Sequence, residues 1–234
     1  MGRRTFLAAI GLLYAQGSYR PFTVGVSTIL PTGVWSRSQP PFPQGGHAAL
    51  SYGAYGAKEY YDKTGRFGWF IFFQAVTWDI DRQALIESII SQPLPDRRLA
   101  YSYRLPFSNV GGVGLIYRYA SQEGWYISFP LDIRITYINY PQWVITLPAL
   151  PTYLLLIESN SFLGFAMTPT FWKRVERGKQ VFWGVGLSYP VVRGKPAYYV
   201  IQRISENGEM VTQRHAYYLP PQYLELRMIV AFAP

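Results

Sequence analysis

WYISFPLDIRITYIN, residues 125–139, is the stretch that decides the fold. Its odd positions are apolar throughout: Trp125, Ile127, Phe129, Leu131, Ile133, Ile135 and Tyr137. Its even positions include Ser128, Asp132, Arg134 and Thr136. A period of two over this length specifies a β-strand with one apolar and one polar face. The apolar face begins and ends on an aromatic ring, Trp125 and Tyr137. Amphipathic rings at both ends of an apolar face are the mark of a strand crossing a bilayer, one ring at each interface.

Seven further segments share this character, so eight strands are expected in all. They lie at about 22–30, 47–61, 67–80, 109–120, 162–173, 181–191 and 223–232, with 125–139 as the fifth. Outward rings at Tyr117, Tyr119, Trp183 and Tyr189 join Trp125 and Tyr137 as the expected aromatic belt. The third segment is apolar on both faces, so alternation does not fix its orientation.

The connections alternate in length. Tight turns at Asp62-Lys63-Thr64-Gly65, Ser121-Gln122-Glu123-Gly124 and Glu176-Arg177-Gly178-Lys179 follow strands two, four and six. Each offers a glycine for a positive φ. The remaining connections, 31–46, 81–108, 140–161 and 192–222, are long. Outer-membrane barrels sort their loops in this way, with short turns on the periplasmic side and long loops outside. The fold expected is all-β: an eight-stranded antiparallel up-and-down transmembrane β-barrel with periplasmic N- and C-termini. A soluble lipocalin-like barrel has the same alternation but no reason to sort its loops.

A narrow barrel has little room inside. Glycines crowd the inner face (Gly25, Gly53, Gly114, Gly164, Gly184, Gly186), and five charged residues share it: Arg118, Asp132, Arg134, Glu225 and Arg227. Small barrels need a self-satisfied polar interior, so these five are expected to form a paired lumenal network rather than a catalytic centre.

The N-terminus reads as a secretory signal. Arg3 and Arg4 precede a short apolar core, and Ala15-Gln16-Gly17 supplies small residues for cleavage. Residues 1–17 are therefore expected to be a signal peptide and 18–234 one barrel domain; a buried N-terminal helix or strand is the alternative. The net charge is +9, with no run of like sign. Export makes nucleic acid an unsuitable partner, and directs the basic balance toward outer-membrane lipid and lipopolysaccharide. With 0 cysteines there is no disulfide, thiolate metal site or thiol nucleophile.

The long loops carry structure of their own. Leu85, Ile86, Ile89 and Ile90 recur at helical spacing within Asp81–Ser91. Asn207-Gly208 separates two β-prone runs in the last loop, a strong hairpin signal. Arg193, Lys195, Arg203, Asn207, Gly208, Arg214 and His215 make this loop the candidate partner-binding surface. The 2 histidines are His47 and His215. His47 with Ser51 and a loop carboxylate is the single enzyme-like arrangement available, that of a lipid-modifying hydrolase, and a triad is identified by geometry rather than order. Asp79 and Asp81 are oxygen donors without a calcium-loop pattern, and Asp81 suits a helix cap equally. No cofactor or metal is expected.

The chain resembles the small outer-membrane β-barrel proteins of the Bacteroidetes-type porin family. The likeness rests on LPTG after the first strand (Leu30–Gly33), LSYGAYG (Leu50–Gly56) and PFSNVGGVGLIYRY (Pro106–Tyr119). It departs at the end, where Phe232 is followed by Ala233 and Pro234 instead of closing the chain on an aromatic. The resemblance implies an integral protein of the bacterial outer membrane. The expected function is non-enzymatic: binding, or a structural part of the envelope or of a larger envelope complex, through the outer loops. The alternatives are a lipid-modifying enzyme and a narrow-channel porin.

Overall fold

The computed structural model describes residues 20–36, 47–90, 106–120, 124–139, 143–145, 153–155, 160–175, 181–194, 198–206, 209–217 and 221–232. The expected signal peptide lies outside them.

The wall of the barrel is built from β1 (Phe22–Pro31), β2 (Ser51–Tyr61), β3 (Phe67–Thr77), β4 (Phe107–Ala120) and β5 (Trp125–Asn139), each antiparallel to the one before. Short strands β6 (Trp143–Ile145) and β7 (Tyr153–Leu155) follow in the third long connection. The wall resumes with β8 (Asn160–Met167), β9 (Thr170–Arg174), β10 (Val181–Ser188) and β11 (Val191–Gly194). After β12 (Tyr198–Glu206) and β13 (Glu209–Tyr217), β14 (Tyr223–Phe232) pairs with β1 and closes the barrel, Phe22 opposite Phe232. Closure leaves the wall without an edge strand.

Two expected strands are each split by a proline. β8 and β9 are separated at Thr168-Pro169, and β10 and β11 at Tyr189-Pro190. Proline has no N–H for the ladder. The wall continues across both breaks: β5 pairs with β8 along one half and β9 along the other, and the Leu187 N–H donates to the Pro169 carbonyl at 3.1 Å. The faces also stay in phase, since Ala166, Thr168, Thr170 and Trp172 all point inward. Eight staves result, as expected. The second and third strands are shorter than expected, 51–61 and 67–77, and beyond them a single antiparallel bridge, Ala48 opposite Ile80, continues the pairing.

Helix α1 (Gly33–Ser36) was not expected; helix α2 (Arg82–Ile90) coincides with the apolar helical spacing. Asp81 caps α2, its Oδ1 accepting from the Ala84 N–H at 3.0 Å. At the short-turn end, Gly65 and Gly124 hold φ of 68° and 79°, the conformation for which glycine stands in each turn.

The orientation of β3 is settled by what fills the barrel. Phe70, Phe72, Gln74 and Val76 point inward; Ile71 and Phe73 point out. The lumen is lined with rings as well as charges, and the inner glycines give them space. A Cβ on Gly184 would stand 2.6 Å from Trp172 Cε3, and one on Gly114 2.6 Å from Phe70 Cε1.

Candidate functional site: a packed lumen and a capped mouth

Asp132 and Arg134 on β5, and Glu225 and Arg227 on β14, stand at i and i+2, so each pair shares the inner face. Arg134 donates from Nε and Nη2 to the two carboxylate oxygens of Asp132, both at 2.6 Å. Arg227 donates likewise to Glu225 at 2.7 and 2.9 Å. Arg134 Nη1 lies 3.9 Å from Glu225 Oε2, which links the pairs across the lumen. Gln74 Nε2 extends the network, donating to Glu225 Oε1 at 2.6 Å and to Ser27 Oγ at 2.9 Å. The guanidinium groups also lie over rings, Arg227 over Tyr55 at 4.5 Å and Arg134 over Phe72 at 5.3 Å. All four charged side chains are buried, Arg134 and Glu225 to 0 % exposure. Charges so far from water require this degree of pairing.

A second layer lies nearer the short turns. The Arg118 guanidinium is held between the rings of Tyr61 and Tyr126, at 4.1 and 4.2 Å from their centroids, and 3.9 Å from Glu59 Oε2. Glu59 also accepts from Tyr61 Oη at 2.7 Å and Thr23 Oγ1 at 3.1 Å. Trp172 stacks on Tyr126 at 5.6 Å and donates through Nε1 to Ser128 Oγ at 2.8 Å. The expected five charges are thus divided between two layers. Glu59 and Gln74, not singled out in the sequence, complete them. Alternation on β2 would have flagged Glu59, which lies between outward Lys58 and Tyr60. The cavity between the layers, bordered by Tyr55, Glu59, Trp172 and Arg227, holds about 20 Å³, room for one water.

The mouth beyond the upper layer is capped by side chains from separate connections. Trp35 of α1 meets Trp78 edge-on at 5.5 Å, and Trp78 meets Tyr223 edge-on at 5.5 Å. Trp78 Nε1 donates to Ser108 Oγ at 3.0 Å. Two backbone bonds hold the first connection to the second, Ala49 N–H to the Asp79 carbonyl at 2.7 Å and Asp81 N–H to the His47 carbonyl at 2.8 Å. Leu85 of α2 is buried with them.

His47 belongs to this cap. Its backbone is left-handed, with φ 49°, and its side chain is buried. Burial pushes its imidazole below the ordinary histidine value, and the Asp81 carboxylate partly opposes this. Ser51 has another task than the hydrolase arrangement requires. Its hydroxyl donates to the Ala49 carbonyl at 2.9 Å and accepts from the Asp79 N–H at 3.0 Å. The proton a nucleophile would pass to histidine is directed at a backbone oxygen. Asp81 is occupied as the α2 cap. Among the described residues, no three His, Asp or Glu side chains gather to hold a metal.

The outward face is apolar. Ile133 and Leu115 are 63 % and 66 % exposed, whereas Asp132 between outward neighbours is 1 % exposed. A continuous apolar band of this kind suits hydrocarbon rather than water. The expected belt residues all lie on it, in two rows. Tyr117, Tyr119, Trp125 and Trp183 are near the short turns, joined by Phe67, Phe129 and Phe171; Phe171 lies 6.0 Å from Trp125 and 6.5 Å from Trp183. Tyr137 and Tyr189 are near the long loops, with Tyr52 and Phe107. Between Trp125 and Tyr137 the strand advances about 40 Å at ~3.3 Å per residue. A tilt of about 40° makes this a height of about 30 Å, that of a bilayer core.

Of the candidate loop residues, Arg193 is exposed on β11, while Arg203 and His215 are placed on β12 and β13 and Arg214 is exposed on β13. Lys195, Asn207 and Gly208 lie outside the described residues. β12 and β13 form a two-stranded sheet separate from the barrel, Glu206 opposite Glu209, as the Asn-Gly signal anticipates. β6 and β7 form a second such hairpin, Trp143 opposite Leu155.

No family model matches the chain, and no curated protein does. Among solved structures it is similar to a major outer membrane protein from Thermus thermophilus, with a TM-score of 0.54 and 11% identity over 92% of this chain and 99% of that one. An outer membrane channel from Pseudomonas putida aligns over 94% of this chain and 96% of that one at 9% identity, but a TM-score of 0.27 adds nothing to the fold assignment. The fold is that of the outer-membrane β-barrels.

Proposed function

We propose that the chain spans the bacterial outer membrane as a plugged barrel and acts through its long-loop side, as a binding or structural component of the envelope. The observation that carries this reading is the filled lumen: two ion-paired layers and an aromatic cap occupy the space a channel needs, while the hairpins stand outside the barrel as separate sheets. The task then falls to the loops. Their occupant is lipopolysaccharide or a protein of an envelope complex, met by Arg193, Arg214 and their neighbours. The termini are periplasmic in this reading, and residues 1–17 are removed on export. The motifs Leu30–Gly33, Leu50–Gly56 and Pro106–Tyr119 favour the small porin-family barrels of the Bacteroidetes type. The commitments of Ser51 and Asp81 favour a non-enzymatic role.

Cell fractionation tests the address: a heat-modifiable band in the outer-membrane fraction is expected, and a soluble protein of unchanged mobility removes the reading. Planar bilayers test the plug. No stepwise conductance is expected, and stable open channels overturn it. Replacing 198–217 by a short turn should leave the heat shift intact and abolish a surface phenotype or partner capture. Full retention of both counts against the loops.

A further inference from the structure

We propose that the short-turn rim is a binding ring for anionic phospholipid headgroups. The proposal rests on the reading of the chain as a membrane-spanning barrel and adds the lipid class and the end at which it binds.

Charge is distributed unevenly over the molecule. In the lumen three arginines face three acids. At the long-loop end the described residues carry no basic excess, Arg82, Arg193, Arg203 and Arg214 standing against Asp79, Asp81, Glu87, Glu206 and Glu209. At the short-turn end six basic side chains, Arg20, Lys58, Lys63, Arg66, Lys173 and Arg174, stand against Asp62 alone among the described residues. The turns outside the described residues leave the balance unchanged in sequence, since Arg177 and Lys179 are matched by Glu123 and Glu176. The basic character of the described barrel is therefore gathered at one end.

The position of these side chains points to lipid. Lys173 alternates with inward Trp172, so it stands on the outer wall, and the register sets it opposite Trp125 on β5 and Trp183 on β10. A cation is thus flanked on both sides by rings of the girdle. Lys58 is on the same outer face of β2, opposite Phe22 and Ile71, and its Nζ reaches toward the chain end to donate to the Arg20 carbonyl at 2.7 Å. The Arg20 guanidinium lies 5.9 Å over the Tyr60 ring, which stacks on Trp69 at 4.1 Å. Long cationic side chains that rise from an apolar wall between interfacial rings place their charge at headgroup depth. Phosphate there meets positive potential on several sides, and an anionic headgroup gains what a zwitterionic one does not. With the long loops outside, this end faces the inner leaflet, away from lipopolysaccharide, so phosphatidylglycerol-type lipid is the occupant.

The test is quenching of tryptophan fluorescence in bilayers of dibrominated phosphatidylglycerol or dibrominated phosphatidylcholine. The full barrel is expected to prefer the anionic lipid by about fivefold, the effect of a single basic side chain at an anionic surface. High salt and the Lys58→Gln/Lys173→Gln variant should both bring the preference toward parity, with the heat-modifiable mobility unchanged. Equal quenching by the two lipids in the wild type overturns the ring and leaves the membrane reading intact. So does a preference that the variant does not reduce. Failure of the phosphatidylcholine analogue to quench at all overturns the membrane reading and the ring with it. Equal quenching together with salt-dependent cosedimentation on isolated peptidoglycan would assign the basic end to a polymer instead.

Discussion

Asp132 and Arg134 face the lumen from alternate positions of one strand, joined by two hydrogen bonds of 2.6 Å. The pair has no water to fall back on, because both side chains are buried. Breaking one partner of such a pair costs about 3–5 kcal/mol, since the other charge stays buried and uncompensated. Asp132→Asn is therefore expected to lower stability by about that amount, read as the urea midpoint of folding in detergent micelles or lipid. The double replacement Asp132→Leu/Arg134→Met removes both charges and is expected to recover most of the loss. A single substitution as stable as wild type would show that the pair does not hold the wall.

Two glycines on the wall should respond in opposite ways. Gly184 faces inward, and a Cβ there would stand 2.6 Å from Trp172 Cε3 and 2.8 Å from Cδ2. The indole is fixed by its bond to Ser128 and by the Tyr126 ring, so it cannot step aside without breaking one of them. Gly184→Ala is expected to cost about 1–3 kcal/mol, the usual range for overpacking. At Gly56 the nearest atom to a new Cβ is the Thr23 carbonyl oxygen at 4.0 Å, so Gly56→Ala is expected to be neutral or slightly stabilising. Equal urea midpoints for the two variants would contradict the packing account.

What the sequence made legible was whatever depends on local period. Alternation located the wall strands, and spacing of two put Asp132 with Arg134 and Glu225 with Arg227. Loop length gave the order of short and long connections. What stayed hidden depends on partners far apart in sequence. The inward choice of Phe70 and Phe72 on β3 follows from glycines on β4 and arginines on β5 and β14, none of them local. Glu59 belongs with Arg118 across the barrel, and Trp35 and Trp78 from two separate connections meet at the mouth with Tyr223 at the start of β14. The proline breaks in the sixth and seventh staves were visible as letters, but alternation continued through them.

Arg118 is held by geometry as much as by charge. Its guanidinium carbon lies 4.1 and 4.2 Å from the ring centroids of Tyr61 and Tyr126, and a planar group can face two rings at once, whereas an ammonium group cannot stack on both. Arg118→Lys retains the charge facing Glu59 and loses the sandwich. The expected cost is about 1–2 kcal/mol, from the range for desolvated cation–ring contacts. Arg118→Met keeps length and removes the charge, leaving the Glu59 carboxylate to its hydrogen bonds from Thr23 and Tyr61, and should cost more. The urea midpoints of the two variants check the order. A lysine variant less stable than the methionine one would show that stacking, not the ion pair, dominates.

His47 makes the cap sensitive to acid. Burial holds its imidazole below the ordinary value of 6.5, although the Asp81 carboxylate pulls the other way. The folded cap therefore binds a proton less readily than the open one. Its contribution to stability is present above about pH 6.5 and is lost as pH falls through the lowered value. The bonds at risk are those that hold the first connection to the second, beginning with Asp81 N–H to the His47 carbonyl. Acrylamide quenching in a variant retaining Trp35, Trp78 and Trp172 reports the outcome, since Trp35 and Trp78 form the cap and Trp172 is buried in the layer near the short turns. Trp35 and Trp78 are expected to be shielded at pH 8 and progressively exposed below pH 6, with the barrel still heat-modifiable. His47→Asn is the control, because asparagine tolerates the left-handed backbone and does not titrate in this range. Its quenching profile should be flat, and a flat profile in the wild type would remove His47 as the acid-sensitive element.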